Sequence, residues 1–142
     1  FAEHGLAPEL EESRFGTHYR AGGIELIVGD AFGLDADLLR DCSAVFDRAA
    51  LIALPPELRV RYARELYARL PTNCRGLLVT LEYPQEEREG PPFSVPGDEV
   101  HSLYAQDWNV GLLERRPIPS DHPGFVAGVS RLDTAVYALH RR

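Results

Sequence analysis

The chain has 142 residues, 44% of them hydrophobic and 26% charged, with a formal net charge of −7. This length and composition describe one globular domain and exclude a disordered tail, a collagen-like repeat and a disulfide-rich miniprotein. All the positive side chains are arginine and they are outnumbered by carboxylates, which argues against a nucleic-acid partner, and no apolar run approaches the roughly 18 residues of a membrane span.

The opening run Phe1-Ala2-Glu3-His4-Gly5-Leu6 reads as the last turn of a helix stopped by Gly5, with Pro8 just beyond. With no Met anywhere and Phe1 in front, the chain is expected to be the C-terminal portion of a longer protein. Residues 9–13 read as an acidic connector. Residues 17–20 predict a short strand, turned by Ala21-Gly22-Gly23 into a second strand at Ile24–Val28. A short helix over 34–39 precedes a strand at Ala44–Asp47. The clearest helix covers 56–70, with Leu58, Tyr62, Leu66 and Leu70 on the inward stripe and Arg59, Arg61, Arg64 and Glu65 on the other faces. Pro55 and Pro56 suit its entry.

The apolar run 76–81 predicts a strand buried on both faces of a parallel sheet. Residues 84–96 form a long loop with four prolines, the kind of segment that serves as a lid or binding loop. A helix over 98–104 follows, then strands over 108–115 and 132–139 that pair antiparallel at the sheet edge. Strand and helix alternate until that closing pair, so the fold class is α/β with a mostly parallel, Rossmann-like open sheet. Residues 1–142 show no internal domain boundary.

Several chemistries find no support. The five histidines are scattered without metal-ligand spacing, so no metal is expected. No Gly-x-Ser-x-Gly elbow occurs, and Ser120-Asp121-His122 are merely consecutive in a turn-rich loop. Cys42 precedes a strand without a cationic neighbour and Cys74 follows a helix, and both read as packing thiols of a reducing compartment. Gly22-Gly23 precedes a strand, whereas a phosphate-binding loop follows one. The first fifteen residues contain no secretory signal, and the cytoplasm is the expected location.

The informative groups stand at strand carboxyl ends, where open α/β sheets bind ligands. Asp30 follows the Ile24–Val28 strand. Its carboxylate is suited either to an exocyclic amine, with the Ala31 and Phe32 N–H groups free for ring acceptors, or to capping the next turn. Asp47-Arg48 ends the next strand. There Arg48 either lies over a ligand or joins a surface ion pair. After the third strand, Gly90-Pro91-Pro92-Phe93 offers a stiff apolar wall and a ring for stacking, or else an exposed connector.

Three runs then resemble a known family: Val28-Gly29-Asp30-Ala31-Phe32, the segment 45–54 containing Asp47-Arg48-Ala49-Ala50-Leu51, and Leu81-Glu82-Tyr83 followed by Gly90-Pro91-Pro92-Phe93-Ser94-Val95-Pro96. Together they look like the thiopurine S-methyltransferases, in their bacterial form, across essentially the whole chain. The resemblance implies a class I S-adenosylmethionine-dependent methyltransferase fold, seven-stranded with a reversed last strand. It implies methyl transfer from S-adenosylmethionine to the sulfur of aromatic and heterocyclic thiols such as thiopurines, and in bacterial members also to selenium and tellurium oxyanions. Asp30 and Ala31 match the positions that hold the adenine, with Phe32 at its edge. Arg48 matches the arginine that contacts the cofactor, approaches the substrate and orients it in catalysis. Pro91, Pro92 and Phe93 match the loop lining the substrate pocket.

The family's methionine-binding loop, ribose-binding acid and N-terminal Trp have no counterpart in the sequence, nor does its second substrate-side arginine, where Asp121 stands instead. On that basis a βαβ unit and an extension, on the order of 60–80 residues, are expected to precede the chain. The missing strands would pair between Ile24–Val28 and Ala44–Asp47. The 142 residues alone are then expected to be inactive, and the intact protein a monomer with a small-molecule thiol as its partner. The alternatives are a methyltransferase of the same fold with another acceptor, or an inactive binding or structural fragment.

Overall fold

The computed structural model describes residues 1–142 and divides the strands into two sheets. Strands β1 (Glu9–Ser13), β2 (Gly16–Ala21) and β3 (Ile24–Val28) form an antiparallel meander in the order β1-β2-β3. Strands β4 (Ala44–Asp47), β5 (Arg75–Glu82), β6 (Trp108–Pro117) and β7 (Asp133–Arg141) form the main sheet in the order β4-β5-β7-β6. There β4 and β5 are parallel, while β7 runs antiparallel to both its neighbours. The α/β class and the reversed last strand are therefore as expected.

One reading of the first thirty residues is corrected. Residues 9–13 are a strand despite their three glutamates, because β2 supplies their cross-strand partners: Arg20 pairs with Glu11 and the Thr17 hydroxyl donates to Glu12. The Ile24–Val28 strand pairs with β2 across the Gly22-Gly23 turn, as expected, and is separate from β4 in this chain. Ile24, Leu26 and Val28 stay exposed.

The main sheet has one covered face. Asp47, Leu78, Thr80, Ala135, Tyr137 and Leu139 point under the helices and are buried. The register places Phe46, Leu77, Val79, Val136 and Ala138 on the opposite face, where Phe46 is 65% exposed and Leu77 39%. The 76–81 run is thus buried on one side only, a correction to the two-sided burial expected of it. Residues Ala50–Ala53 (α2), Pro56–Arg61 (α3) and Gly97–Tyr104 (α4) cover the other side, while Ala36–Leu39 (α1), capped by Asp35, leads into β4.

The segment 56–69 is helical throughout, but its register differs from the expected one. After α3 the chain widens into a π turn over Tyr62–Leu66 and tightens into a 3-10 turn over Tyr67–Arg69. The fully buried positions are Arg59, Ala63, Tyr67 and Leu70, with Leu58, Tyr62 and Leu66 half-buried. Arg59 therefore sits on the inward face, not the polar one. It is tolerated there because its charge is partnered: Nε lies 3.0 Å from Glu99 Oε1, and Nη1 donates to the Ser94 carbonyl at 3.2 Å. Around it, Tyr67 packs against Tyr62, Tyr104 and Trp108 with ring centroids 5.1–5.7 Å apart. Cys74 is buried in this core and Cys42 half-buried, in keeping with packing roles. No helix is long and apolar enough to cross a membrane.

Candidate functional site

The carboxyl end of β4 separates Asp47 from Arg48 by function. Asp47 is buried and caps α2, its Oδ1 accepting the Ala50 N–H at 3.0 Å and the Leu51 N–H at 3.3 Å. The Tyr67 hydroxyl donates to its other oxygen at 3.4 Å. Burial, reinforced by neighbouring groups that include this carboxylate, pushes the Tyr62, Tyr67 and Tyr104 hydroxyls up, so all three remain protonated at any working pH. Arg48, one residue later, is exposed and faces a cavity of about 830 Å³. Ile52, Val79, Leu81 and Val136 line that cavity as an apolar floor on the open face of the sheet.

A second arginine lines the same cavity. Arg116, near the end of β6, pairs in register with Thr134 beside the Leu81 position. The expected place of a second substrate-side arginine, around Ser120-Asp121-His122, holds Asp121 instead. The usable signal was Arg115-Arg116 at a strand end, where alternate residues face opposite sides of the sheet. His122 also lines this cavity, and its Nδ1 accepts the Gly124 N–H at 2.9 Å. In its neutral form His122 therefore carries the proton on Nε2 and is a donor there.

The proline-rich loop borders a larger cavity on the helix-covered side, of about 1350 Å³. Phe93 lines it with Arg59, Glu82, Arg115 and Tyr137, and Arg59 sits 5.7 Å from the Phe93 ring centroid. The loop is held at several points. The Phe93 N–H donates to the Ile52 carbonyl at 2.6 Å, the Tyr83 hydroxyl to the Pro92 carbonyl at 2.6 Å, and the Ser94 N–H to Gln85 at 3.0 Å. Gly90 has φ +91°, and a Cβ there would come within 2.6 Å of the Phe93 ring, so only glycine fits. Pro91 and Pro92 each follow a cis peptide bond and line neither cavity. Arg48 and Phe93 thus face different cavities, joined through Ile52.

Asp30, Ala31 and Phe32 lie elsewhere, on the outside of the 56–69 helical segment. Asp30 Oδ1 accepts the Phe32 N–H at 2.9 Å, so that N–H is already taken by the cap and not free for a ligand. Arg69 donates to the Phe32 carbonyl at 2.6 Å, and Arg61 sits 4.4 Å from the Phe32 ring centroid. Neither cavity includes the three residues. The exposed turn still has the right chemistry for a nucleobase edge, since one Asp30 oxygen stays outside the cap and an aromatic ring stands two residues away. No group of His, Cys, Asp and Glu side chains is arranged to hold a metal ion.

Comparison with known proteins agrees on one family. The family model described as thiopurine S-methyltransferase matches residues 1–142. A protein of Nitrosomonas eutropha with that name is 60% identical over 99% of this chain and 64% of its own length. Relatives of the same name from Xanthomonas axonopodis pv. citri and Bordetella parapertussis are 57% and 54% identical, over 100% and 99% of this chain and 66% and 65% of their own lengths. The chain therefore spans about two thirds of the length of the relatives it matches.

Proposed function

The chain belongs to the thiopurine S-methyltransferase family, with its class I methyltransferase fold, and on that premise we propose that the whole protein transfers a methyl group from S-adenosylmethionine to the sulfur of aromatic or heterocyclic thiols. The observation that carries the reading is the pairing of Arg48 and Arg116 around one cavity with an apolar floor. A flat heterocycle fits such a floor, and two permanent cations favour an ionised thiol above it.

When bound, S-adenosylmethionine supplies the electrophilic methyl carbon; Asp30 and Ala31 would hold its adenine, with Phe32 at the edge. Arg48 orients the substrate and raises its thiolate fraction. Being always protonated, it takes no proton itself. The buried tyrosines accept none either, because their hydroxyls stay protonated. The ionised substrate or water carries the proton, and positioning with exclusion of water supplies the rate. Phe93 faces the other cavity and is tied to that of Arg48 through its bond to Ile52, while Pro91 and Pro92 line neither, so the loop's substrate-side role rests on that one bond. The protein acts as a cytoplasmic monomer on small molecules, with selenium and tellurium oxyanions as further acceptors.

A competition series of thiols, amines and catechols with methyl-labelled cofactor tests this. Label on sulfur, with thiopurines outcompeting the other acceptors, is the expected outcome. Preferential labelling of amine or catechol oxygen would assign a different methyltransferase, and no labelling at all would leave the fold without the activity.

A further inference from the structure

The meander carries a group of side chains that methyl transfer does not use. The turn at Arg14-Phe15 pairs Ser13 with Gly16, and the register then puts Ser13, Glu11, His18, Arg20, Glu25 and Ile27 on one face of the sheet. On that face His18 is only 2% exposed, although the sheet turns Leu10, Ile24, Leu26 and Val28 outward to solvent. Ser13 Oγ lies 2.6 Å from His18 Nε2, and His18 Nδ1 lies 2.5 Å from Glu25 Oε1. Glu25 is fixed in turn by Arg20, whose Nε donates to it at 2.9 Å. Hydrogen bonding to His18 first, and to Arg20 next, holds the Glu25 carboxyl below the usual range, so it accepts at neutral pH.

These bonds fix the roles. Glu25 accepts the Nδ1 proton, which leaves the Nε2 lone pair to receive the Ser13 hydroxyl proton. The Gly16 carbonyl, at 3.5 Å, is the more distant acceptor for that hydroxyl. A nucleophile, a base in hydrogen-bond reach of it and an acid orienting the base make up the serine-hydrolase arrangement, which is recognised by geometry and not by chain order. We propose that Ser13, His18 and Glu25 form a second reactive site, in which Ser13 is an activated nucleophile that accepts acyl groups from small esters.

The surroundings define the substrate class. Ser13 is exposed, and neither of the two cavities described above includes it, so the site faces open solvent and binds weakly. The Phe15 N–H donates to Ser13 Oγ at 3.0 Å, so it holds the nucleophile in place. With that N–H engaged by the nucleophile, the backbone gives the oxyanion little help, so the ester must carry a good leaving group. The Phe15 ring, with the Arg14 guanidinium 4.7 Å from its centroid, favours an aromatic one. In the acylation step Ser13 Oγ bonds to the carbonyl carbon and its proton passes to His18 Nε2. The carbon–oxygen bond to the leaving group breaks, and the phenolate departs with the electron pair. His18 then releases that proton to solvent; water attacks the acyl-serine, giving a proton to His18, which returns it to Ser13 Oγ as the carboxylic acid leaves.

The test incubates the full chain with p-nitrophenyl acetate, follows phenolate release and maps acetylation by peptide mass spectrometry. Acetyl on Ser13, and loss of the rate by about 100-fold in Ser13→Ala, are expected. Glu25 is a positioning residue: Glu25→Gln should slow acetylation of Ser13 with the fold intact by circular dichroism, and Glu25→Asp should restore part of the rate. His18 is buried, so the exposed Ser13 and the Glu25 pair carry the test without it. Acetyl found on Cys42 or another nucleophile but not Ser13 overturns the proposal, as does a Ser13→Ala rate equal to wild type. Either result reduces the three residues to a network that holds the hairpin.

Discussion

The Phe93 N–H donates to the Ile52 carbonyl, which ties the proline-rich loop to the short helix beginning two residues after Arg48. Ile52 lines the Arg48 cavity while Phe93 lines the other, so this bond couples the two sides of the sheet. Arg48 thus lies one helical turn along the backbone from the point where the loop is tied.

Arg48 is exposed, so replacing it should leave the fold alone and alter the chemistry. Arg48→Glu in the whole protein is expected to lower kcat/KM for thiol methylation by about 100-fold, the typical cost of one charge-stabilising donor. The urea midpoint should stay unchanged. Wild-type kinetics in this variant would remove Arg48 from the site.

Arg59 should show the opposite pattern. Arg59→Met leaves Glu99 without its partner and frees the Ser94 carbonyl, both on the inward side of the helix. A loss of about 2–3 kcal/mol in urea unfolding is expected. A neutral result would mean that the apolar replacement packs as well as the ion pair it removes.

Two carboxylates give stability opposite pH dependences. Glu87 accepts the Ser130 N–H at 2.6 Å, and this backbone bond is the main cause holding its carboxyl below the usual range. Its contribution is complete above the unfolded-state value of about 4.3 and is lost as pH falls through the lower folded value. Glu99 is held above the usual range, chiefly by burial and against the pull of Arg59, so its contribution is complete at low pH and lost as pH rises through the folded value. Urea midpoints across the acid range should show Glu87→Gln flattening the rise with pH. In Glu99→Gln the opposing slope should disappear. Unchanged slopes in both variants would contradict these assignments.

Phe46 stands on the open face of the main sheet, on strand β4, which pairs on one side only. In the 142-residue chain by itself, Phe46→Ser is expected to reduce binding of a hydrophobic dye while changing stability by less than about 0.5 kcal/mol. A loss well above that would show the ring to be packed.

Much of the main sheet was legible because its signals are local. The apolar run before Glu82, the Asp47 strand tip and the closing pair of strands each announce themselves within ten residues. The first strand of the meander was not, because Glu9–Ser13 gains its strand character only from Thr17 and Arg20 across the turn. Arg59 was assigned to the wrong face for a similar reason. A π turn alters the helical period, and the buried guanidinium depends on Glu99, forty residues away. At the site, Arg48 was visible from its place at a strand end. Arg116 and His122 were not, since they reach its cavity from a strand end and a loop that no short motif connects to Asp47-Arg48.

The most direct measurement is calorimetric titration of S-adenosylmethionine into the whole protein that carries this chain, with Asp30→Ala alongside. The account predicts saturable one-site binding that weakens about tenfold or more when the Asp30 carboxylate is removed, in line with the loss of a charged hydrogen bond. Binding indifferent to Asp30 would contradict the placement of the adenine, and the absence of binding would contradict the methyltransferase reading itself.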